Sequence, residues 1–233
     1  MTERRTFRQT RFERPPGACE ILLVRHGESE PYVEGISHPL VDGQGDPPLD
    51  PNGHEQARTV ADRLVATGEP ISAIYVTTMQ RTHQTAAPLA EQLGIEPVVE
   101  PDLREVHLGE WEGGELRRRM AEGGPIAQEV QARGRWDVIP GAESSEALSA
   151  RVHAGLERIA IAHPDEVVAA FVHGGVIGTA ISLATGATGF SFVGADNASI
   201  THLVVTPDRW IVRCFNDTSH LSPTFAVAPE PLT

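Results

Sequence analysis

The sequence predicts an α/β fold: a three-layer α/β/α sandwich around a mostly parallel central sheet with an antiparallel edge. Three observations predict it. Short, continuous apolar runs, Ile21 to Val24, Ala73 to Val76 and Val167 to Val172, suit strands buried on both faces. Helical patterns lie between them, so strands alternate with helices over the first 185 residues, the order that builds a parallel sheet. Two later runs, Ser199 to Val205 and Trp210 to Phe215, flank Pro207-Asp208 as a hairpin and supply the antiparallel edge.

Taken in order, residues 1 to 18 lack hydrophobic periodicity and end in Pro15, Pro16 and Gly17. Arg4, Arg5, Arg8, Arg11 and Arg14 outweigh Glu3 and Glu13 there, which reads as a flexible, solvated basic leader. A single domain is expected over 19 to 221, followed by a loose Pro-rich tail over 222 to 233. The first strand stops abruptly at Arg25-His26-Gly27-Glu28, and the Pro, Gly and Asp of residues 29 to 50 make a loop. Asp50 as N-cap with Pro51 behind it starts a helix whose apolar positions include Ala57, Val60, Ala61 and Leu64. The strand Ala73 to Val76 runs into Thr77-Thr78-Met79-Gln80-Arg81 and a helix to about Leu93, closed by Gly94. A third short strand is expected near Ile95 to Val99, then a loop carrying Glu105, His107, Trp111 and Gly113. A polar helical region through Arg135 is broken by Pro140-Gly141, and Ser144 or Ser145 caps a helix bearing Leu148, Val152, Leu156 and Ile159. Val167 to Val172 ends at His173-Gly174-Gly175 before a further helix.

Composition narrows the function. The 233 residues, 40% hydrophobic, bury a full core without staples, and Cys19 and Cys214 form neither a disulfide framework nor a metal spacing. A reduced, cytoplasmic setting is expected, since no apolar stretch follows the basic leader before Glu20. The chain contains no lysine, which excludes Schiff-base chemistry and a Walker A site. A net charge of -13 disfavours nucleic acid and anionic membranes and points to a small-molecule substrate; a homo-oligomer stays open.

In sheets of this kind ligands sit beyond the carboxyl ends of the strands, where Arg25-His26 and His173 lie. Leu22-Leu23-Val24-Arg25-His26-Gly27-Glu28-Ser29 resembles the signature of the histidine phosphatase superfamily, the phosphoglycerate mutase-like family. Thr78 to Ala86 resembles its second phosphate-binding segment, Leu103-Arg104-Glu105 with Gly109 to Gly113 its acid loop, and Val172-His173-Gly174-Gly175 its second histidine. The likeness spans roughly residues 20 to 221.

The resemblance implies a phosphoglycerate mutase-like fold and a catalytic set of His26, Glu105, His173, Arg25 and Arg81, with phosphate bound by Arg25, Arg81, Ser29, His173 and Gly174. Chemistry supports it independently. A neutral imidazole with one nitrogen held as a donor is a competent nucleophile toward phosphorus, the role that falls to His26. The planar fork of arginine matches two phosphoryl oxygens, and fixed cationic donors stabilise the transferring group without a metal or cofactor. Glu105, by the resemblance, gives a proton to the leaving oxygen and later takes one from water.

Other residues carry weaker expectations. His83 and His107 neighbour the site, whereas His38, His54, His153, His163, His202 and His220 read as structural. Glu143 is explained by a nearby helix dipole, and Arg117-Arg118-Arg119 reads as a solvated face that doubles as a candidate for a secondary anion contact. Family members commonly place Asn where this chain has Tyr32, whose hydroxyl could donate in its stead. An α/β-hydrolase lacks its G-x-S-x-G elbow here, and position 58 is Arg58, so His54-Glu55 is no zinc-protease motif. The expected activity is a metal-independent phosphomonoester hydrolase working through phosphohistidine. Its rivals are a phosphoglycerate mutase-type isomerase and an inactive binder of phosphorylated ligands. The Glu110-Trp111-Glu112-Gly113 form resembles the phosphatase branches of the family and the lysine of its mutases is missing, so the resemblance implies the hydrolase over the mutase.

Overall fold

The computed structural model describes residues 6–222; Arg4 and Arg5 of the leader and residues 223–233 of the tail lie outside the described residues. The elements run β1 (Cys19–Arg25), β2 (Leu40–Val41), β3 (Gln44–Gly45), α1 (Pro51–Ala66), β4 (Ile71–Val76), α2 (Gln80–Leu93) and β5 (Val98–Val99). They continue with α3 (Glu115–Glu122), α4 (Pro125–Arg133), α5 (Ser145–Ala162), β6 (Val167–Val172), α6 (Gly174–Thr185), β7 (Ile200–Val205) and β8 (Trp210–Asp217).

Six strands form one sheet in the order β5-β4-β6-β1-β7-β8. The first four are parallel, and β7 and β8 are antiparallel, giving the expected edge. Strand alternation makes the three layers. Cys19, Ile21 and Leu23 of β1 face a core shared with Leu148, Val152, Leu156 and Ile159 of α5 and Val176 and Ile177 of α6. Leu22 and Val24 face the opposite core, against Val60, Ala61 and Leu64 of α1 and Ala86 and Leu89 of α2. β6 is buried at every residue, as its continuous apolar run requires.

Caps fall where side chains can supply them. The Asp50 carboxylate accepts from Gly53 N at 2.6 Å, and Ser144, not Ser145, caps α5 by accepting from Ala147 N at 3.1 Å. Two elements depart from expectation. β5 is only two residues long because Pro97 cannot donate to a ladder and the Ile95 amide is taken by Ala90 O at 3.1 Å. The polar region before Arg135 is two helices, α3 and α4, divided where Gly123 turns left-handed (φ 65°) ahead of Gly124-Pro125. With the loops before and after them they enclose a small core of their own: Trp111, Ala127, Val130 and Ile139.

Residues 6 to 18 contain no helix or strand, yet they touch the body: the Arg213 guanidinium lies 3.8 Å from the centre of the Phe12 ring, and Arg14 pairs with Glu20 at 3.3 Å. Among the described residues no helix is long and apolar enough to cross a membrane.

Candidate active site

The two candidate histidines meet because their strands are neighbours. β1 and β6 run parallel with Arg25 opposite Val172, so the residues that follow, His26 and His173, leave the same edge of the sheet side by side. The His26 amide donates to Val172 O at 3.0 Å, and the two rings stand edge to face with centroids 5.2 Å apart. His26 is 6% exposed and His173 fully buried. The Gly27 carbonyl lies 2.8 Å from His26 Nδ1; a carbonyl only accepts, so Nδ1 carries the proton and Nε2 keeps its lone pair. The segment is wedged in place. Asn197 Nδ2 donates to His26 O at 2.9 Å, the Gly27 amide donates to Thr85 Oγ1 at 3.0 Å, and a Cβ at Gly27 would lie 2.5 Å from Gly53 O.

Burial holds both imidazoles well below the ordinary histidine range. For His26 the guanidinium groups of Arg81 and then Arg25 push the same way; for His173 Arg81, His26 and Arg25 do so. Both rings are therefore neutral at neutral pH. His173 Nε2 lies 3.0 Å from Thr77 Oγ1, while its buried Nδ1 has no hydrogen-bond partner among the described residues.

Three guanidinium groups converge in front of them. Arg25 Nη1 donates to Ala195 O at 2.6 Å. Arg81, 7% exposed, donates to Gly45 O at 3.2 Å and pairs with Asp46 at 3.4 Å; burial lowers its pKa to about 10, which still leaves it charged at neutral pH. Asp46 also accepts from Gln80 N at 3.0 Å, so it anchors the first turn of α2 and the arginine together. The third is Arg117, whose Nη2 donates to Ser29 Oγ and Nη1 to Glu30 O, both at 2.7 Å. Among the described residues no carboxylate pairs with it, whereas Arg118 and Arg119 bind Glu115 at 2.6 and 3.2 Å. The three-arginine run is thus split: one guanidinium turns inward and two are neutralised outside.

That split also settles Tyr32. Its hydroxyl donates to Glu115 Oε1 at 2.6 Å, and the Glu115 pKa is held at about 2, chiefly by Arg118 and then by Tyr32. The expected hydroxyl donor to phosphate is therefore engaged elsewhere, and Arg117 reaches Ser29 instead.

Glu105 closes the pocket from the loop. Its Oε2 accepts from Gly175 N at 3.2 Å and its Oε1 from Val106 N at 2.9 Å. Glycine at 175 leaves the carboxylate its place, since a Cβ there would lie 2.5 Å from Glu105 Oε1 and the acid would have to move. Glu112 braces the same loop, accepting from Leu108 N at 2.7 Å and Gly45 N at 2.8 Å.

Of the residues expected from the sequence, Arg25, His26, Ser29, Arg81, Glu105 and Gly174 line one pocket together with Arg117, and His173 stands behind it. His83 faces solvent, and His107 accepts from Gly109 N at 3.1 Å outside that pocket. His38, read as structural, lines the pocket, and its Nε2 is buried without a hydrogen-bond partner among the described residues. Thr77, Thr85, Asn197 and Gln44 escaped the sequence reading. Thr77 has a signal as the first polar residue after a buried strand, and Thr85 lies within the segment that resembles a phosphate-binding one. Among the described residues no group of three or more His, Cys, Asp or Glu side chains could hold a metal ion.

With this geometry established, comparison with known proteins is direct. Residues 21–218 match the family model described as the histidine phosphatase superfamily (branch 1). Two relatives come from Arabidopsis thaliana. A metal-independent phosphoserine phosphatase is 34% identical over 206 residues, covering 87% of this chain and 83% of the relative. Phosphoglycerate mutase-like protein 4 is 31% identical over 209 residues, covering 88% of each. The structure of a mycobacterial glucosyl-3-phosphoglycerate phosphatase superposes with a TM-score of 0.70 at 25% identity, covering 86% of this chain and 100% of that one. Matched along most of its length, with paired strand-end histidines beneath converging guanidinium groups, this chain belongs to branch 1 of the histidine phosphatase superfamily.

Proposed function

We propose that the chain is a phosphomonoester hydrolase that works through a phosphohistidine on His26 and needs no metal. One observation carries the reading: a buried, neutral imidazole, held with Nδ1 as the donor, lies at the strand end in a pocket lined by Arg25, Arg81 and Arg117. Nε2 attacks phosphorus, the P–O bond to the alcohol breaks, and Glu105 delivers its proton to the leaving oxygen. Water then attacks phosphorus, the P–N bond breaks, the water proton passes to Glu105, and inorganic phosphate leaves. Charge spread over the equatorial oxygens is met by Arg25, Arg81, the donor nitrogen of His173 and the Gly174 amide at the start of α6, all fixed before substrate arrives. Small phosphorylated molecules are the substrate class.

One observation keeps a second reading in view. Among the described residues Arg117 has no carboxylate partner and is left to hold a carboxylate on the substrate, as a phosphoglycerate mutase-type isomerase requires. The test is rapid-quench labelling with peptide mapping, combined with a phosphomonoester panel that includes 3-phosphoglycerate with a bisphosphoglycerate primer. We expect acid-labile, base-stable label on His26, loss of label and turnover in His26→Ala, phosphate release undiminished by EDTA, and negligible isomer. Label on Ser29, EDTA-sensitive turnover restored by Mg²⁺, or isomer formation outpacing phosphate release would overturn the assignment.

A further inference from the structure

We infer that Arg151, locked by Glu143, is the positioning residue for Glu105; the inference rests on the acid role given to Glu105 above. Arg151 lies on α5 behind the acid loop, outside the pocket that holds His26. Its guanidinium is fully engaged. Nε and Nη2 grip the two oxygens of Glu143 at 2.7 and 2.8 Å, a bidentate pair largely shielded from solvent. The remaining donors gather three carbonyls from one short stretch: Nη1 donates to Asp102 O at 2.8 Å and Arg104 O at 2.5 Å, and Nη2 to Glu105 O at 3.0 Å.

Glu143 extends the grip past the acid. Its Oε2 accepts from His107 N at 3.3 Å and its amide donates to His107 O at 2.8 Å. The pair thus ties the chain on both sides of Glu105, and Gln44 Nε2 adds a second donor to the Glu105 carbonyl at 2.8 Å. This assigns Glu143 a role that a helix dipole does not explain. No regular secondary structure fixes residues 104 to 107, so these bonds replace a ladder. They set where the Glu105 carboxylate meets Gly175 N and Val106 N. Lysine at 151 cannot substitute, because a point ammonium lacks the planar fork that serves a carboxylate and three carbonyls at once.

The experiment uses the full chain with Arg151→Lys and, as a milder shape-preserving variant, Glu143→Gln. Each is assayed on an alkyl phosphate and on p-nitrophenyl phosphate, whose leaving group needs little proton donation. Amide exchange is followed at Val106 and Gly175. In Arg151→Lys, kcat/KM on the alkyl ester should fall by about 30-fold or more while the aryl ester loses under about threefold, because only proton transfer depends on the placement of Glu105. Exchange at both amides should quicken. Equal losses on the two esters, or unchanged protection at Val106 and Gly175, would overturn the inference. Should Arg151→Lys fail to fold, Glu143→Gln decides by the same two readouts. A wild-type protein without phosphohistidine or phosphate release would refute the hydrolase reading alone, and the exchange data would still decide whether Arg151 orders Glu105.

Discussion

The two halves of the site are held by different forces. His26, Arg25 and His173 issue from β1 and β6, strands buried on both faces, and the backbone ladder with two apolar cores sets their positions. Burying one such core side chain is worth about 1.5–3 kcal/mol. Ser29, Glu105 and Arg117 come from loops and the short α3, which has no fully buried residue, and are held by side chains reaching carbonyls, amides and hydroxyls. Each such hydrogen bond nets about 0.5–1.5 kcal/mol. The nucleophile and the groups beside it on the sheet are thus placed by the core, and the acid, with Ser29 and Arg117, by a polar scaffold laid over it. Change in the second half need not disturb the first.

Glu105→Gln offers the largest break with that division. It should cut kcat on alkyl phosphates by about 10²-fold or more, within the usual span for a general acid, and spare an activated aryl phosphate. Steady-state rates on a series of leaving groups would check it; a uniform loss would place Glu105 with the phosphoryl half. Next, Arg117→Ala should raise KM about tenfold, roughly 1.4 kcal/mol of binding, with kcat within about threefold, because Arg117 belongs to the scaffold. A comparable fall in kcat would move it to the phosphoryl half.

The smallest effect concerns stability. His26 and His173 have depressed values when folded, against about 6.5 unfolded. Between those values the unfolded chain binds more protons, so their contribution is fully present above about pH 6.5 and is lost as the pH falls below it. The loss is at most about 1.4 kcal/mol per pH unit per histidine. Urea midpoints at pH 7.5 and 5.5 should show His173→Gln losing less on acidification than the wild type. Equal acid loss would mean that the buried pair does not drive it.

Legibility in the sequence follows the same line. The main strands, the mostly parallel sheet with its antiparallel edge and both strand-end histidines are readable because continuous apolar runs that end in Arg-His or His-Gly-Gly leave few alternatives. β5 was overdrawn because Pro97 denies it a donor, and the α3–α4 break went unread although Gly123-Gly124-Pro125 marks it. The scaffold was hardly readable. Arg151 lies 46 residues from the carbonyl of Glu105 it holds, Thr77 lies 96 from His173 and Asn197 lies 171 from His26. No local pattern announces such contacts, since they exist only once the sheet brings its ends together. Arg117 was singled out with its neighbours, but nothing in three consecutive arginines says which one turns inward; Glu115 decides that by binding the other two.

Gly175 carries a consequence for descent. The space where its side chain would begin is occupied by the Glu105 carboxylate, so a methyl group and the proton donor compete for one volume. Every glycine codon becomes an alanine codon by one base change. On the scheme proposed here, that change displaces the acid while leaving His26, Arg25 and Arg81 untouched, and a lineage could pass in one step from turning over phosphate esters to merely holding them.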